Sequence, residues 1–228
     1  VTAAPARLWA VLAAAGSGVR FGAGRPKQYH DLHGMAVIRW SLAPFLARSD
    51  LAGILVVVAA GDEYWSGCRP EDRRIETIPG GPTRAASVAN ALTALEGRAA
   101  EGDWVIVHDA ARPCLTESDL DQLVRRLADE PDGGLLGAPV ADTLKREAGG
   151  RVTATVDRSR LWRALTPQMF RFGLLRAALA AAGGVTDEAG AMEQAGHRPV
   201  LVPGRGDNIK VTTREDLIQA AAILAARS

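Results

Sequence analysis

The stretch Leu8-Trp9-Ala10-Val11-Leu12-Ala13-Ala14-Ala15-Gly16-Ser17-Gly18-Val19-Arg20 decides the fold. A short, continuously apolar run stopped by glycines is the signature of a strand buried on both faces, here Leu8 to Ala14, and it feeds straight into a charged loop. The same signature returns at Ile54 to Ala59 and Trp104 to Val107, and another strand is expected at Leu135 to Val140. Between these runs the apolar spacing becomes helical, at Val37 to Ala47, Thr83 to Leu95 and Leu115 to Leu127. The last of these opens with Thr116 three residues before Asp119, a capping-box spacing. Further on, Phe172 to Ala182 and Thr186 to Ala195 read as helices, Val200 to Val202 and Ile209 to Thr212 as extended segments, and Glu215 to Ala226 as a closing helix. Alternation of this kind calls for a mostly parallel sheet covered by helices on both faces, with ligands bound outside the carboxyl ends of the strands.

At 228 residues the chain fits one large domain, residues 1–228, rather than two. One segment departs from the alternation: Asp142 to Thr166 is rich in charge, contains Gly149-Gly150 and alternates Val152, Ala154 and Val156 like an exposed hairpin. It is expected to project as an arm, and because a lone two-stranded ribbon is marginal, to be steadied by a second subunit. Twenty-seven basic against 26 acidic residues leave a net charge of +1, which provides no global field for a nucleic acid, so any anion site must be local. Cys68 and Cys114 have neither zinc-ligand spacing nor a disulfide pattern, so a reducing, cytoplasmic location is expected. The run Leu8 to Ala15 is far shorter than the roughly 20 residues of a membrane span. It imitates a signal peptide's apolar core, but it continues into the glycine-rich cationic loop.

That loop holds Gly16, Gly18, Arg20, Arg25 and Lys27, glycines that allow backbone N–H groups to converge on an anion and cations that attract one. Taken alone it also fits a flexible connection with solvated cations. It is neither a dinucleotide fingerprint, because Phe21 stands where the third glycine belongs, nor a P-loop, because Pro26-Lys27-Gln28 replaces Gly-Lys-Ser/Thr. Asp109 stands at the carboxyl end of the Trp104 strand, and Asp207 follows the turn Gly204-Arg205-Gly206. If the two carboxylates converge they need a counter-charge, for which magnesium shared with substrate phosphates is the expected choice; either aspartate alone also suits a cap or surface turn. His30, His33, His108 and His197 form no metal spacing and no triad, and His108 reads as a packing or hydrogen-bonding residue. Scattered tryptophans argue against a base-stacking platform.

Several blocks, in order, resemble the 2-C-methyl-D-erythritol 4-phosphate cytidylyltransferase family. They are Ala14-Ala15-Gly16-Ser17-Gly18-x-Arg20 with Pro26-Lys27-Gln28, then Gly80-Gly81-x-x-Arg84-x-x-Ser87 and His108-Asp109-Ala110-Ala111-Arg112-Pro113. Asp142-Thr143-Leu144-Lys145, Asp157-Arg158, Leu165-Thr166-Pro167-Gln168, Thr186-Asp187-Glu188-Ala189 and Asp207-Asn208-Ile209-Lys210 agree as well. The resemblance implies a Rossmann-like three-layer sandwich of the nucleotide-diphospho-sugar-transferase kind, a homodimer through the arm, and transfer of cytidylyl from CTP to methylerythritol phosphate with release of pyrophosphate. It implies that Arg20 and Lys27 hold the triphosphate, that Arg158 and Lys210 orient the acceptor, and that Asp109 and Asp207 hold magnesium. Ala14, Ala15, Gly16 and Gly18 with Gly81, Arg84 and Ser87 would enclose the nucleotide, and Arg112, Thr143, Thr166 and Thr186 would line the acceptor pocket. Thr143 and Arg158 would serve the partner subunit's site. The chain departs from the family pattern at Ala13, commonly proline, at Val19, often a second arginine, and at Pro82, which lacks an N–H that could contact the base. A ribitol phosphate or other sugar-phosphate nucleotidyltransferase, or a nucleotide-binding module without catalysis, are the rival readings.

Overall fold

The computed structural model describes residues 6–16, 21–22 and 24–227. Strand β1 (Leu8–Ala14) is followed by the two-residue strands β2 (Asp31–Leu32) and β3 (Met35–Ala36), helix α1 (Val37–Leu46), and strands β4 (Leu51–Val58) and β5 (Ile75–Pro79). Next come α2 (Arg84–Ala94), β6 (Trp104–Asp109), α3 (Glu117–Leu127), β7 (Gly134–Pro139), the pair β8 (Leu144–Ala148) and β9 (Arg151–Val156), and the long β10 (Trp162–Arg171). Helices α4 (Phe172–Ala181) and α5 (Glu188–Gln194), strand β11 (Val200–Pro203) and helix α6 (Arg214–Ala225) complete the order.

The main sheet has seven strands in the order β11-β7-β10-β6-β1-β4-β5. All its pairings are parallel except those of β10, which runs antiparallel to both β6 and β7. From β1 the chain builds outward through β4 to β5, then crosses back to lay β6 on the other side of β1. A crevice therefore opens between the carboxyl ends of β1 and β6, at the point where the strand order reverses. There the register pairs Ala13 with Asp109, so the loop leaving β1 and the acidic end of β6 emerge side by side.

The continuous apolar strands sort their side chains by the two-residue period of a strand. Leu8, Ala10 and Leu12, with Ile54 and Val56, meet Ile38, Leu42 and Phe45 of α1 and Leu120, Leu123 and Leu127 of α3. Trp9 and Val11, with Leu55 and Val57, meet α2, α4 and α5 through Val88, Leu92, Phe172, Leu175 and Met192. That gives three layers, as expected. Helix α6 packs outside this arrangement, its Ala220 and Leu224 joining Phe21, Leu32, Val37, Cys114 and Val211.

Three expectations are corrected. Strands β5 and β10 have no counterpart in the sequence reading, and β10 shortens the arm: residues 162–166 belong to the main sheet, and only β8 and β9 form a separate hairpin. The hairpin turns on Gly149 and Gly150, at φ +58° and +76°, a left-handed pair that glycine adopts without strain. Ile209 to Thr212, expected only to be extended, joins no sheet and is tied in by the Val211 N–H donating to the Ala111 carbonyl at 2.8 Å. Thr116 caps α3 by accepting the Asp119 N–H, whereas the reciprocal capping box is found at Thr213 and Asp216 of α6. Among the described residues no helix is long and apolar enough to cross a membrane.

Candidate active site

A cleft of about 430 Å³ lies at the reversal point, lined from four separate stretches of chain by Ala14, Ala15, Gly16 and Lys27, by Gly81, Arg84 and Ser87, by Asp109, and by Lys210. Its first wall is the loop after β1. Pro26 starts a single turn of 3-10 helix, Lys27–Tyr29, which places Lys27 on the cleft and sends Gln28 inward. The buried Gln28 amide donates to the carbonyls of Ala14 at 2.7 Å and Gly16 at 3.3 Å, so one side chain ties the start of the loop to its return. Gly18 and Arg20 lie outside the described residues.

The second wall is the start of α2. A Cβ on Gly80 would sit 2.4 Å from the Cβ of Ala15, so only glycine permits this approach of the two loops. Thr83 caps α2 by accepting the Ala86 N–H at 3.1 Å. The Ser87 hydroxyl accepts the Gly81 N–H at 3.0 Å and donates to the Thr83 carbonyl at 2.9 Å, which fixes the turn that Pro82 stiffens.

Asp109 is the centre of charge. Its Oδ1 accepts from Arg84 Nε at 2.9 Å, its Oδ2 from Lys210 Nζ at 2.8 Å, and Arg112 Nε stands 3.5 Å from Oδ2. Burial by itself would raise this carboxyl, but Arg84, then Lys210 and Arg112, outweigh it and hold Asp109 well below the usual carboxylate range. Arg84 also donates both terminal nitrogens to Glu188, at 2.7 and 3.0 Å, and Glu188 is entirely buried. Burial pushes the Glu188 carboxyl up, opposed by that same guanidinium. A buried chain Asp109–Arg84–Glu188 thus fixes one guanidinium between two carboxylates at the cleft floor.

Beneath Asp109 a neutral network holds the strand end. His108 is wholly buried, and desolvation pulls its imidazole down to about 3. Its Nε2 lies 3.3 Å from the Arg112 carbonyl and its Nδ1 2.9 Å from the Thr166 hydroxyl. The carbonyl can only accept, which assigns the proton to Nε2 and leaves Nδ1 to accept from Thr166. Thr166 Oγ1 in turn accepts the Asp109 N–H at 3.1 Å. Asn208, also buried, donates to the Thr166 carbonyl, and Arg112 donates to the Asn208 carbonyl, both at 2.8 Å.

The structure therefore brings Lys27, Asp109, Lys210, Arg84, Ser87, Gly81 and Ala14 to Gly16 into one cleft. It does not bring Asp207 there. The Asp207 carboxylate is taken by Arg205, at 3.0 and 2.7 Å, and by Arg227 at 2.7 Å, and Asp207 does not line the cleft. The expected meeting of Asp109 and Asp207 is corrected accordingly: each carboxylate has its own cations. Thr166 is buried with its hydroxyl committed inward rather than lining a pocket, and Arg112 braces Asp109 and Asn208. Thr143, Arg158 and Thr186 are exposed and do not line the cleft of this single chain. Sequence reasoning missed Glu188 and Gln28 as functional side chains. Glu188 follows the cap residue Asp187, where an acid is ordinary helix-start chemistry, so only its burial distinguishes it.

A mostly parallel sheet whose reversal point carries a cationic cleft around one ionised carboxylate is an arrangement suited to an enzyme that binds a nucleotide, and the chain's similarity to known proteins makes that enzyme a nucleotidyltransferase. Residues 8–226 match the family model described as 2-C-methyl-D-erythritol 4-phosphate cytidylyltransferase. The chain is 56% identical over 216 residues to the enzyme of that name from Pseudomonas entomophila and 55% identical to that from Pseudomonas putida, covering 92% of both chains in each case. Among solved structures it is similar to a 4-diphosphocytidyl-2C-methyl-D-erythritol synthase, with 38% identity, a TM-score of 0.86 and coverage of 96% of this chain and 99% of that one. It is similar also to the Francisella tularensis cytidylyltransferase, with 32% identity, a TM-score of 0.82 and coverage of 96% and 100%. The chain belongs to the 2-C-methyl-D-erythritol 4-phosphate cytidylyltransferase family.

Proposed function

We propose that this cleft carries out the family's reaction, in which the phosphate of 2-C-methyl-D-erythritol 4-phosphate attacks the α-phosphorus of CTP in line and pyrophosphate leaves. The observation that carries the assignment of residues is the gathering of Lys27, Asp109 and Lys210 on one cleft from positions far apart in the chain. A phosphate monoester is largely dianionic at neutral pH and is already a nucleophile, so no general base is needed. The remaining difficulty is repulsion between two polyanions, and the chain's residues answer it with fixed charge.

In this reading Lys27 and Arg20 bear on the triphosphate and stabilise charge that develops on the α-phosphoryl oxygens and the departing pyrophosphate. Lys210 leaves Asp109 for the acceptor's phosphate and, with the Arg158 that the arm of a second copy brings in a homodimer, sets it in line. Arg84, held by Glu188, keeps Asp109 ionised and oriented. Ala14, Ala15, Gly81 and Ser87 enclose the cytidine end. Among the described residues no group of three histidines, cysteines or acids could hold a metal, so the chain offers Asp109 as a single carboxylate. That suits a magnesium ion that arrives on the nucleotide, since magnesium is commonly held by one or two carboxylates together with substrate phosphates. When bound, it neutralises phosphate charge.

The reading is tested by pyrophosphate release with both substrates present. Lys27→Ala is expected to lower kcat by about 10²- to 10³-fold, the usual effect of removing one preorganised donor, with an unchanged melting temperature. Turnover at the native rate would remove Lys27 from its role. Chelation with EDTA is expected to stop the reaction and added magnesium to restore it; turnover indifferent to chelation would remove the metal from the scheme. Faster turnover of ribitol 5-phosphate than of methylerythritol phosphate would overturn the acceptor.

A further inference from the structure

We infer that Tyr64, outside the cleft on the loop after β4, is a positioning residue that sets the nucleotide end of the site by anchoring the outer side of the loop that carries Lys27. The inference rests on the reading that Lys27 acts on the triphosphate. Three contacts join Tyr64 to that loop. Its hydroxyl donates to the Gly24 carbonyl at 3.2 Å, its ring stacks on Tyr29 with centroids 5.5 Å apart and 27° between planes, and the Arg25 guanidinium lies 5.4 Å over its face. Gly24, Arg25 and Tyr29 bracket Lys27 on both sides in sequence.

Tyr64 is itself fixed from the body of the protein. Asp62 Oδ1 accepts the N–H groups of Tyr64 at 3.0 Å and Trp65 at 2.8 Å, and Asp62 Oδ2 accepts the Tyr29 hydroxyl at 2.8 Å. The buried Trp65 donates its indole N–H to Thr77 of β5 at 2.8 Å. The linkage therefore runs from the sheet through Trp65, Asp62 and Tyr64 to both ends of the span Gly24 to Tyr29, which contains Lys27. Inside, Gln28 ties the same span to Ala14 and Gly16. An ammonium on a flexible stem serves a transition state only if its backbone is held. His30 Nε2 lies 3.0 Å from the Arg25 carbonyl and Arg25 donates to the Tyr29 carbonyl at 3.4 Å, so these bonds tie the span to itself, while Tyr64 ties it to the body of the protein. Stacking and a cation over an aromatic face add to the hydrogen bond.

The experiment compares Tyr64→Ala and Tyr64→Phe in the full chain, with steady-state KM for magnesium CTP and for the acceptor, melting temperature, and the rate of trypsin cleavage after Lys27. Tyr64→Ala is expected to raise KM for CTP about 10-fold and leave KM for the acceptor unchanged, with faster cleavage after Lys27. Tyr64→Phe, which keeps the ring and loses only the bond to Gly24, should recover most of this, to within about 3-fold of native. A CTP KM within twofold of native in Tyr64→Ala overturns the proposal, whatever the cleavage rate. Equal rises in both KM values with a lowered melting temperature also overturn it, because that is the mark of a merely structural residue. The cleavage arm makes no use of the role of Lys27, so native turnover by Lys27→Ala beside faster cleavage in Tyr64→Ala would locate the fault in the cleft reading rather than in the anchoring.

Discussion

His108 shows at the scale of one residue how the site is kept in register. An imidazole that must stay neutral to accept from Thr166 is a liability in acid, and the sign follows from its pKa. The unfolded chain protonates His108 near its ordinary value of 6.5, the folded chain only near about 3. Its contribution to stability is therefore whole above pH 6.5 and is lost progressively as pH falls toward 3. Asp109, held low by its cations, adds an acid loss of the same sign that begins only below its ordinary 3.8. The slope of unfolding free energy against pH between 6 and 4 is expected to fall by up to one proton in His108→Asn, measured by urea denaturation; an unaltered slope would assign that limb to another group. Lys27 was legible from the cationic glycine-rich loop and Asp109 from the carboxyl end of its strand, while Lys210 was reached only through the family resemblance. Glu188, Gln28 and the inward turn of Thr166 were not legible, since burial of a polar side chain is decided by residues far away in the chain.

Among the elements, the buried parallel strands and their helices read correctly to within a few residues, because continuous apolar runs between amphipathic periods leave few alternatives. Strand β10 was hidden for a definite reason. Pro167 cannot donate to a ladder and Arg163 interrupts the apolar run, so the segment lacks the marks of an interior strand. Arg163 pairs in register with Ala138, and the register shifts between Ala164 and Gln168, around the cis Thr166–Pro167 bond. Strand β7 is equally particular. A Cβ on Gly134 would fall 2.2 Å from the Val200 carbonyl oxygen and 2.9 Å from Leu127. Gly134→Ala is thus expected to destabilise the protein by about 1 to 3 kcal/mol through overpacking where β7 meets β11 and α3, read as a lowered urea midpoint. A midpoint within experimental scatter of the native one would show that β11 moves aside freely.

For the whole molecule the hairpin matters most. Nearly every side chain of β8 and β9 is exposed, Val152 to 65%, and Thr143 and Arg158 flank the hairpin away from the cleft of their own chain. A ribbon of this kind is marginal alone, which supports the proposed homodimer in which each arm completes its neighbour's site. If so, mixing inactive Lys27→Ala with inactive Arg158→Ala and allowing subunits to exchange should restore activity, up to about a quarter of native for random reassortment with one intact site per hybrid. No recovery after exchange has been confirmed by mass would place Arg158 in its own chain's site. The antiparallel course of β10 adds a mechanical consequence. It leads from the foot of the hairpin, across the register shift at residues 164–168, into the middle of the sheet, where Thr166 grips the peptide of Asp109 and Asn208 grips Thr166. The arm and the floor of the cleft thus share one strand, so a displaced hairpin has a short covalent path to the peptide that Thr166 holds.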